Sequence, residues 1–395
     1  VRRHTARLVA SLALVAAGAA AQEAAPLPPA RPEQSAQRDQ SVPPGSRQAA
    51  QAGVDRALAF LVNGQNPDGS WGSTSCETTM EMSFSIETHY AWSVAAHGLA
   101  TMALLGAKET PARRSALDKA VRWLCNCRMT MRGSNWDNDA VWGWLYGSVA
   151  MVDIARDPRF ATDAWRAPVA QRGREFVGWL AKNQEPLGGF GYYDDPPYTR
   201  RPKWGTSFST ASVLPALGMA QQLGWLDDGA TRDRSAAYVR RCRLPNGAYE
   251  YDLSPVPRMN GGEHINDVKG SLGRIQACNW ALRRSGDPGI TDEVIEQGLE
   301  QFFANHRFLR IARMRPIPHE AYYYNAGYFY FFGHYYCGLV IELLPAERRE
   351  RFRELLRPKI LETQRADGSF CDFLGSSYMV TASTGFAALG LETGL

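Results

Sequence analysis

Apolar positions along the chain fall into two alternating kinds of segment. In residues 48–64, 112–127, 168–183, 230–243, 290–305 and 346–364 they form one stripe at helical spacing, with charged residues elsewhere. In residues 88–106, 139–155, 206–224, 270–284, 325–344 and 378–392 they occupy nearly every side. A stripe predicts a helix with one face in water, and all-round apolarity predicts a helix enclosed by others. The second set is rich in small residues, as in Ala95-Ala96-His97-Gly98 and Ala382-Ser383-Thr384-Gly385. Small side chains let helices approach closely enough to share one ring. No run of alternating residues argues for a sheet. The expected architecture is all-α: an (α/α)6 toroid of six helical hairpins, with an inner ring of apolar helices, an outer ring of amphipathic ones, and the last unit packed on the first.

A short phrase punctuates the array. Gln65-Asn66-Pro67-Asp68-Gly69-Ser70-Trp71 returns as Gln364-Arg365-Ala366-Asp367-Gly368-Ser369-Phe370, with partial copies at 183–190 and 243–249 and a looser one at 131–136. Gly69, Gly133, Gly189 and Gly247 are 64, 56 and 58 residues apart, and Gly368 follows after 121, about two steps. A period near sixty marks repeated supersecondary units. The mechanism is a helix stop: glycine takes the left-handed conformation that ends the outer helix, and the aromatic folds back as an anchor. In such an array the loops after the phrase all lead into inner helices and gather on one rim.

The phrase, set in double-helix repeats, resembles the QW-type repeat of the terpene (squalene) cyclase and protein prenyltransferase superfamily, over nearly all of residues 46–395. The resemblance implies a toroid with a central cavity for an isoprenoid or other apolar ligand. It also directs attention to Trp136-Asp137-Asn138-Asp139-Ala140-Val141-Trp142. Class II terpene cyclases carry a D-x-D-D-T-A type motif whose central Asp protonates the substrate. Asp137 and Asp139 match its first two acids, and Ala140 stands where the third would be. An N-cap role for Asp139 fits the same position. The metal-binding DDxxD motif of class I synthases is missing, as is the D-x-C pair of the zinc-dependent prenyltransferases; Cys371-Asp372 with His334 is a poor substitute, so neither metal nor cofactor is expected.

The ends and the composition add the setting. Arg2, Arg3 and Arg7, an apolar run from Leu8 to Ala20 and a small-residue site at Ala19-Ala20-Ala21 have the form of a signal peptide over 1–21. The Pro-rich stretch 22–45 reads as a disordered linker. Export, to a periplasmic or secreted location, is the expectation, with no transmembrane span in the mature chain. Lysine and arginine number 44 against 40 acids, and loss of the three leading arginines brings the balance to about +1, which gives no reason to expect nucleic acid. Seven cysteines leave at least one unpaired; Cys125 and Cys127 are the one close pair, with Cys76 as a candidate partner.

The candidate chemistry sits in the rim loops. Asp137, Asp139, His264, Asp267 and Glu320 are the catalytic candidates, among loop residues that also include His89, Asp194, Asp195, Lys269, His319 and Asp372. Trp92, Trp142, Trp144, Trp204, Tyr322 and Tyr328 are the candidate ligand-binding aromatics, and ten of the fifteen residues 322–336 are aromatic. Such a wall would hold an apolar chain, stabilise a cation or stack on sugars. Three readings stay open: an acid-initiated cyclase-like protein using Asp137 and Asp139; a polysaccharide-active or glycan-binding envelope protein pairing Asp139 with Asp267 or Glu320; and a binding scaffold without catalysis.

Overall fold

In the computed structural model, the described residues are 42–73, 82, 84–130, 139–192, 204–226, 229–253, 264–373 and 377–395. The expected signal peptide, most of the linker, Cys76, Asp137, Asp194, Asp195 and the 131–136 copy of the phrase lie outside them. Pro43 to Gly45, assigned to the linker by composition, already belong to the ring: Arg357 donates to the Gly45 carbonyl at 3.0 Å.

The outer helices are α1 (Arg47–Asn63), α3 (Pro111–Asn126), α5 (Asp163–Asn183), α7 (Ala230–Arg241), α9 (Asp292–Ala304) and α12 (Ala346–Leu361). The inner ones are α2 (Ile86–Gly106), α4 (Val141–Arg156), α6 (Ser207–Gln222), α8 (Leu272–Arg284), α11 (Phe329–Ile341) and α13 (Ser377–Glu392). One helix, α10 (Arg307–Ala312), is additional and fills the glycine-free loop of the fifth unit. Side-chain oxygens of Ser46, Ser85, Thr110 and Thr206 accept from the third residue onward and set the starts of α1, α2, α3 and α6. Helix α5 starts five residues earlier than the pattern predicts, at Asp163, so Pro168 lies inside it instead of opening it.

The inner helices pack in the order α2, α4, α6, α8, α11, α13 and back to α2, so the ring is closed. The fold is the expected (α/α)6 toroid. Its packing units are offset from its sequence units: each outer helix lies chiefly on the inner helix before it, and α1 lies on α13. No inner helix can therefore bury its outward face within its own hairpin, and the chain ends are needed to complete each other. Close approach explains the small residues. A Cβ on Gly385 of α13 would meet the Leu99 carbonyl carbon of α2 at 2.9 Å.

The turn phrase is the stitch between units. Gly69, Gly188, Gly247 and Gly368 have φ of 94°, 107°, 86° and 89°, so the third turn glycine is Gly188, not Gly189. The leading glutamine works in two directions. Gln364 Nε2 donates to Gly368 O at 3.0 Å and to Gly53 O of α1 at 2.9 Å, closing the ring through the chain ends. Gln65 reaches Gly69 O and Ala116 O of α3 in the same way, and Gln184 reaches Gly188 O and Thr231 O of α7. Trp71 folds back and donates to Leu61 O at 2.7 Å.

Among the described residues there is no strand beyond isolated bridges such as Gln65 with Trp71, no helix long and apolar enough to cross a membrane, and no disulfide.

Candidate functional site

Five inner helices, chiefly through their N-terminal and middle turns, and the loops above them enclose a cavity of about 350 Å³. Trp92 and Leu99 come from α2, Trp142 and Tyr146 from α4, Phe208 from α6, Phe329 and Phe332 from α11, and Ala382 and Phe386 from α13; Tyr192, Tyr251, His319 and Tyr328 close the top. Phe208 joins the wall, with ring centroids 5.5 Å from Trp142, 5.3 Å from Tyr251 and 5.3 Å from Phe329. The contact with Phe329 is edge-to-face and the other two are tilted, a packing that fixes ring orientation as well as burying area.

Asp139 is the one carboxylate on the wall among the described residues. It does not cap α4: the residue before that helix is Ala140, and no side chain caps its start. The indole N–H groups of Trp142 and Trp92 lie near its carboxyl and favour its charged form. Burial raises its pKa from 3.8 to about 7, and the two indoles only partly oppose this. Near neutrality a large fraction of Asp139 is therefore a neutral carboxylic acid with a proton to give.

The facing groups are weakly basic and uncharged. Tyr192 and Tyr251 share a hydrogen bond of 3.1 Å between hydroxyls, and burial raises both phenols. His319 Nδ1–H donates to Tyr324 O at 2.7 Å, which leaves Nε2 to accept from the Tyr328 hydroxyl at 2.9 Å. Burial lowers the His319 pKa, so its ring is neutral. Behind Tyr251 lies Arg274, 1% exposed, its guanidinium 5.4 Å from the Tyr251 ring and donating to Ile265 O. Burial pulls it down to about 10.

Of the sequence-predicted site residues the structure brings Asp139, Trp92, Trp142 and Tyr328 to this cavity. Asp137 lies outside the described residues, and the other described candidates are elsewhere. Asp267 accepts from Lys269 N at 2.9 Å and caps a 3-10 turn at Val268–Gly270, a structural use of a short polar side chain. His264 Nδ1 accepts from Asn266 N in the same turn, and Glu320 is exposed. Trp144 points outward and stacks on Trp179 at 4.5 Å, because residues two apart on a helix face opposite sides. Trp204 stands behind Tyr192 at 5.1 Å, and Tyr322 is 55% exposed in a turn.

The metal substitute is also occupied otherwise. Asp372 accepts from Phe331 N and Ser383 Oγ, and His334 shares a 2.9 Å contact with His306. Among the described residues no three His, Cys, Asp or Glu side chains are placed to share a metal ion.

No family model and no curated protein matches the chain. Solved structures do. The type II terpene cyclase MstE from Scytonema aligns over 88% of this chain and 98% of its own, at 15% identity and a TM-score of 0.52. An α-1,6-mannanase of Salegentibacter aligns over 87% and 99%, at 11% identity and 0.53. Cellobiose 2-epimerase from Spirochaeta thermophila aligns over 88% and 95%, at 12% identity and 0.53. What they share with this chain is the toroid. Cyclase, glycosidase and epimerase chemistry sit on the same scaffold, so activity has to be argued from the cavity.

Proposed function

We propose that the central cavity binds an isoprenoid or similar apolar polyene and that Asp139 is the general acid that protonates it. The observation that carries this is the Asp139 carboxyl, raised to about 7 by burial within an aromatic wall. Proton transfer from Asp139 to a substrate double bond would leave a carboxylate and a carbocation. Trp92, Trp142, Phe208 and Phe329 offer π faces to that cation, and the neighbouring indole N–H groups favour the carboxylate left behind. Glycan chemistry by paired carboxylates has less support, since Asp267 and Glu320 are both away from the wall and a glycosidase needs two acids flanking one bond. An exported location, read from residues 1–21, belongs to the same proposal and is tested by fractionating cells that express the full chain.

The test is incubation of the purified chain with squalene and geranylgeraniol, followed by mass spectrometry of bound and converted lipid. Cyclised product is expected, with Asp139→Asn slowed about 100-fold or more while lipid uptake persists. Product formation by the wild type should be full on the acid side of pH 7 and decline above it, because the acid must be protonated. No lipid uptake by the wild type, or undiminished turnover by Asp139→Asn, would sink the reading.

A further inference from the structure

Three arginine side chains are buried among the described residues, and two of them are ion-paired: Arg172 with Glu175 at 2.5 Å and Arg357 with Glu350 at 2.6 Å. Arg274 is the third, and no described carboxylate is ion-paired with it. Its Nη2 donates to Ile265 O, and its Nε is buried with no hydrogen-bond partner. The groups that favour its charge are neutral phenols and thiols, Tyr251, Cys278, Cys242 and Tyr328. It also stands in the first turn of α8, where the helix end is itself partly positive. Enclosing a cation with no counterion is strongly unfavourable, and an anion brought to the same place would offset that cost.

The charge acts on one end of the upper cavity. The guanidinium is 5.4 Å from the Tyr251 ring, and its field reaches His319 and Tyr328 as well. All three residues line the cavity, with the Tyr251 and His319 rings 6.1 Å apart. A hydrogen-bond donor is available at the same end. Tyr192 and Tyr251 share one hydrogen bond of 3.1 Å between their hydroxyls, so one of the two O–H groups remains to donate elsewhere. Farther along the inner helices the wall is apolar, with Leu99, Phe332 and Phe386. The cavity is therefore amphiphilic from end to end, and its polar end has a positive field.

We propose that the ligand of this cavity is an isoprenoid acid, its carboxylate accepting from the Tyr192–Tyr251 hydroxyl pair and neutralised by Arg274 across the Tyr251 ring, its tail against Leu99, Phe332 and Phe386. A single guanidinium matches a single negative charge, which favours a carboxylate over a diphosphate. Arg274 is a positioning charge here, since it acts through Tyr251. The inference rests on the isoprenoid reading for the tail, but it does not depend on Asp139 being the acid that reacts.

Titration of the full chain with farnesoic acid and with farnesol at pH 7, read by quenching of tryptophan fluorescence, tests it. The wild type should bind the acid about tenfold or more tighter than the alcohol. Arg274→Met should bring the two ligands within about twofold of each other while farnesol affinity is kept, and Arg274→Lys, which retains the charge, should keep part of the preference. The melting temperature of Arg274→Met should be unchanged or higher, because an unpaired buried charge gives way to an apolar chain. An arginine that only braces Ile265 would instead lower it and weaken both ligands alike, and that result would overturn the assignment. So would a preference for the acid that survives Arg274→Met, or farnesyl diphosphate binding more tightly than the acid. Uptake of farnesol with no preference for the acid ends this inference alone, whereas uptake of neither ligand ends it together with the isoprenoid reading.

Discussion

The turn at 364–370 and the loop at 314–324 occupy the same place in their repeats and are built in opposite ways. In the first, Gly368 takes φ 89° at no steric cost, and Gln364 ties the turn to the next outer helix. In the second, Met314, His319, Tyr323 and Tyr324 take φ of 63°, 63°, 59° and 55°, a conformation that costs an L-residue about 1 kcal/mol or more each. Glycine would relieve that cost, yet it would also remove the side chains, and His319 is on the cavity wall. Where the repeat is kept, the backbone is relaxed and the side chains are structural. Where it is abandoned, strain is tolerated and a side chain reaches the ligand space, the pairing expected at a functional site.

The sharpest way to break this contrast is at the glycines themselves. A Cβ on Gly368 would press on the Arg56 carbonyl of α1, while one on Gly247 would meet nothing nearer than Gln301 Oε1 at 3.6 Å. Gly368→Val should therefore cost about 3 kcal/mol or more in urea unfolding, and Gly247→Ala about 1 kcal/mol, with ligand uptake per folded molecule unchanged in both. Equal costs at the two sites would mean that the left-handed φ alone, and not the contact with the next unit, makes the turn.

A smaller effect separates the acid from the scaffold. The folded pKa of Asp139 lies near 7, above its ordinary 3.8, so the native state holds its proton more tightly than the unfolded chain. Stability then falls as pH rises from about 4 to 7 and stays low beyond. Asp139→Asn cannot ionise and keeps an acceptor for the two indoles. It should be more stable than the wild type by about 2 kcal/mol at pH 8, a figure kept below the full shift because the carboxyl is not sealed from water, and equal to it at pH 4. Parallel curves for the two proteins would remove the case for a buried acid.

These regions were unequally legible in the sequence. Six hairpins, their inner and outer roles and the turn phrase follow from periodicity and glycine placement, because a helix announces its buried face locally. The cavity wall does not. Trp142 and Trp144 differ by two residues and point to opposite sides of α4, so an aromatic-rich stretch indicates burial without saying against what. Tyr192, Tyr251 and Phe208 were missed because each reaches the wall from a different unit, and nothing local marks that convergence. Asp267 was misjudged for the opposite reason: an aspartate before a short helical turn is most simply its cap. A steadier signal was available for His319, whose loop is the one that drops the glycine.

The smallest expected effect runs against the usual direction of mutation. Tyr324 has φ 55° and is 53% exposed, with its ring 6.5 Å from His264 and its carbonyl accepting from His319. Tyr324→Gly removes the strain, keeps the carbonyl, and gives up little buried area. It should raise stability by about 0.5–1 kcal/mol in urea unfolding, reversing the sign seen when a turn glycine is replaced. Uptake of apolar ligand should stay within about twofold, since the His319 to Tyr328 bond does not depend on the Tyr324 ring. A loss of stability would show that the Tyr324 ring, and not the His319 side chain, is what the strained backbone is there to hold.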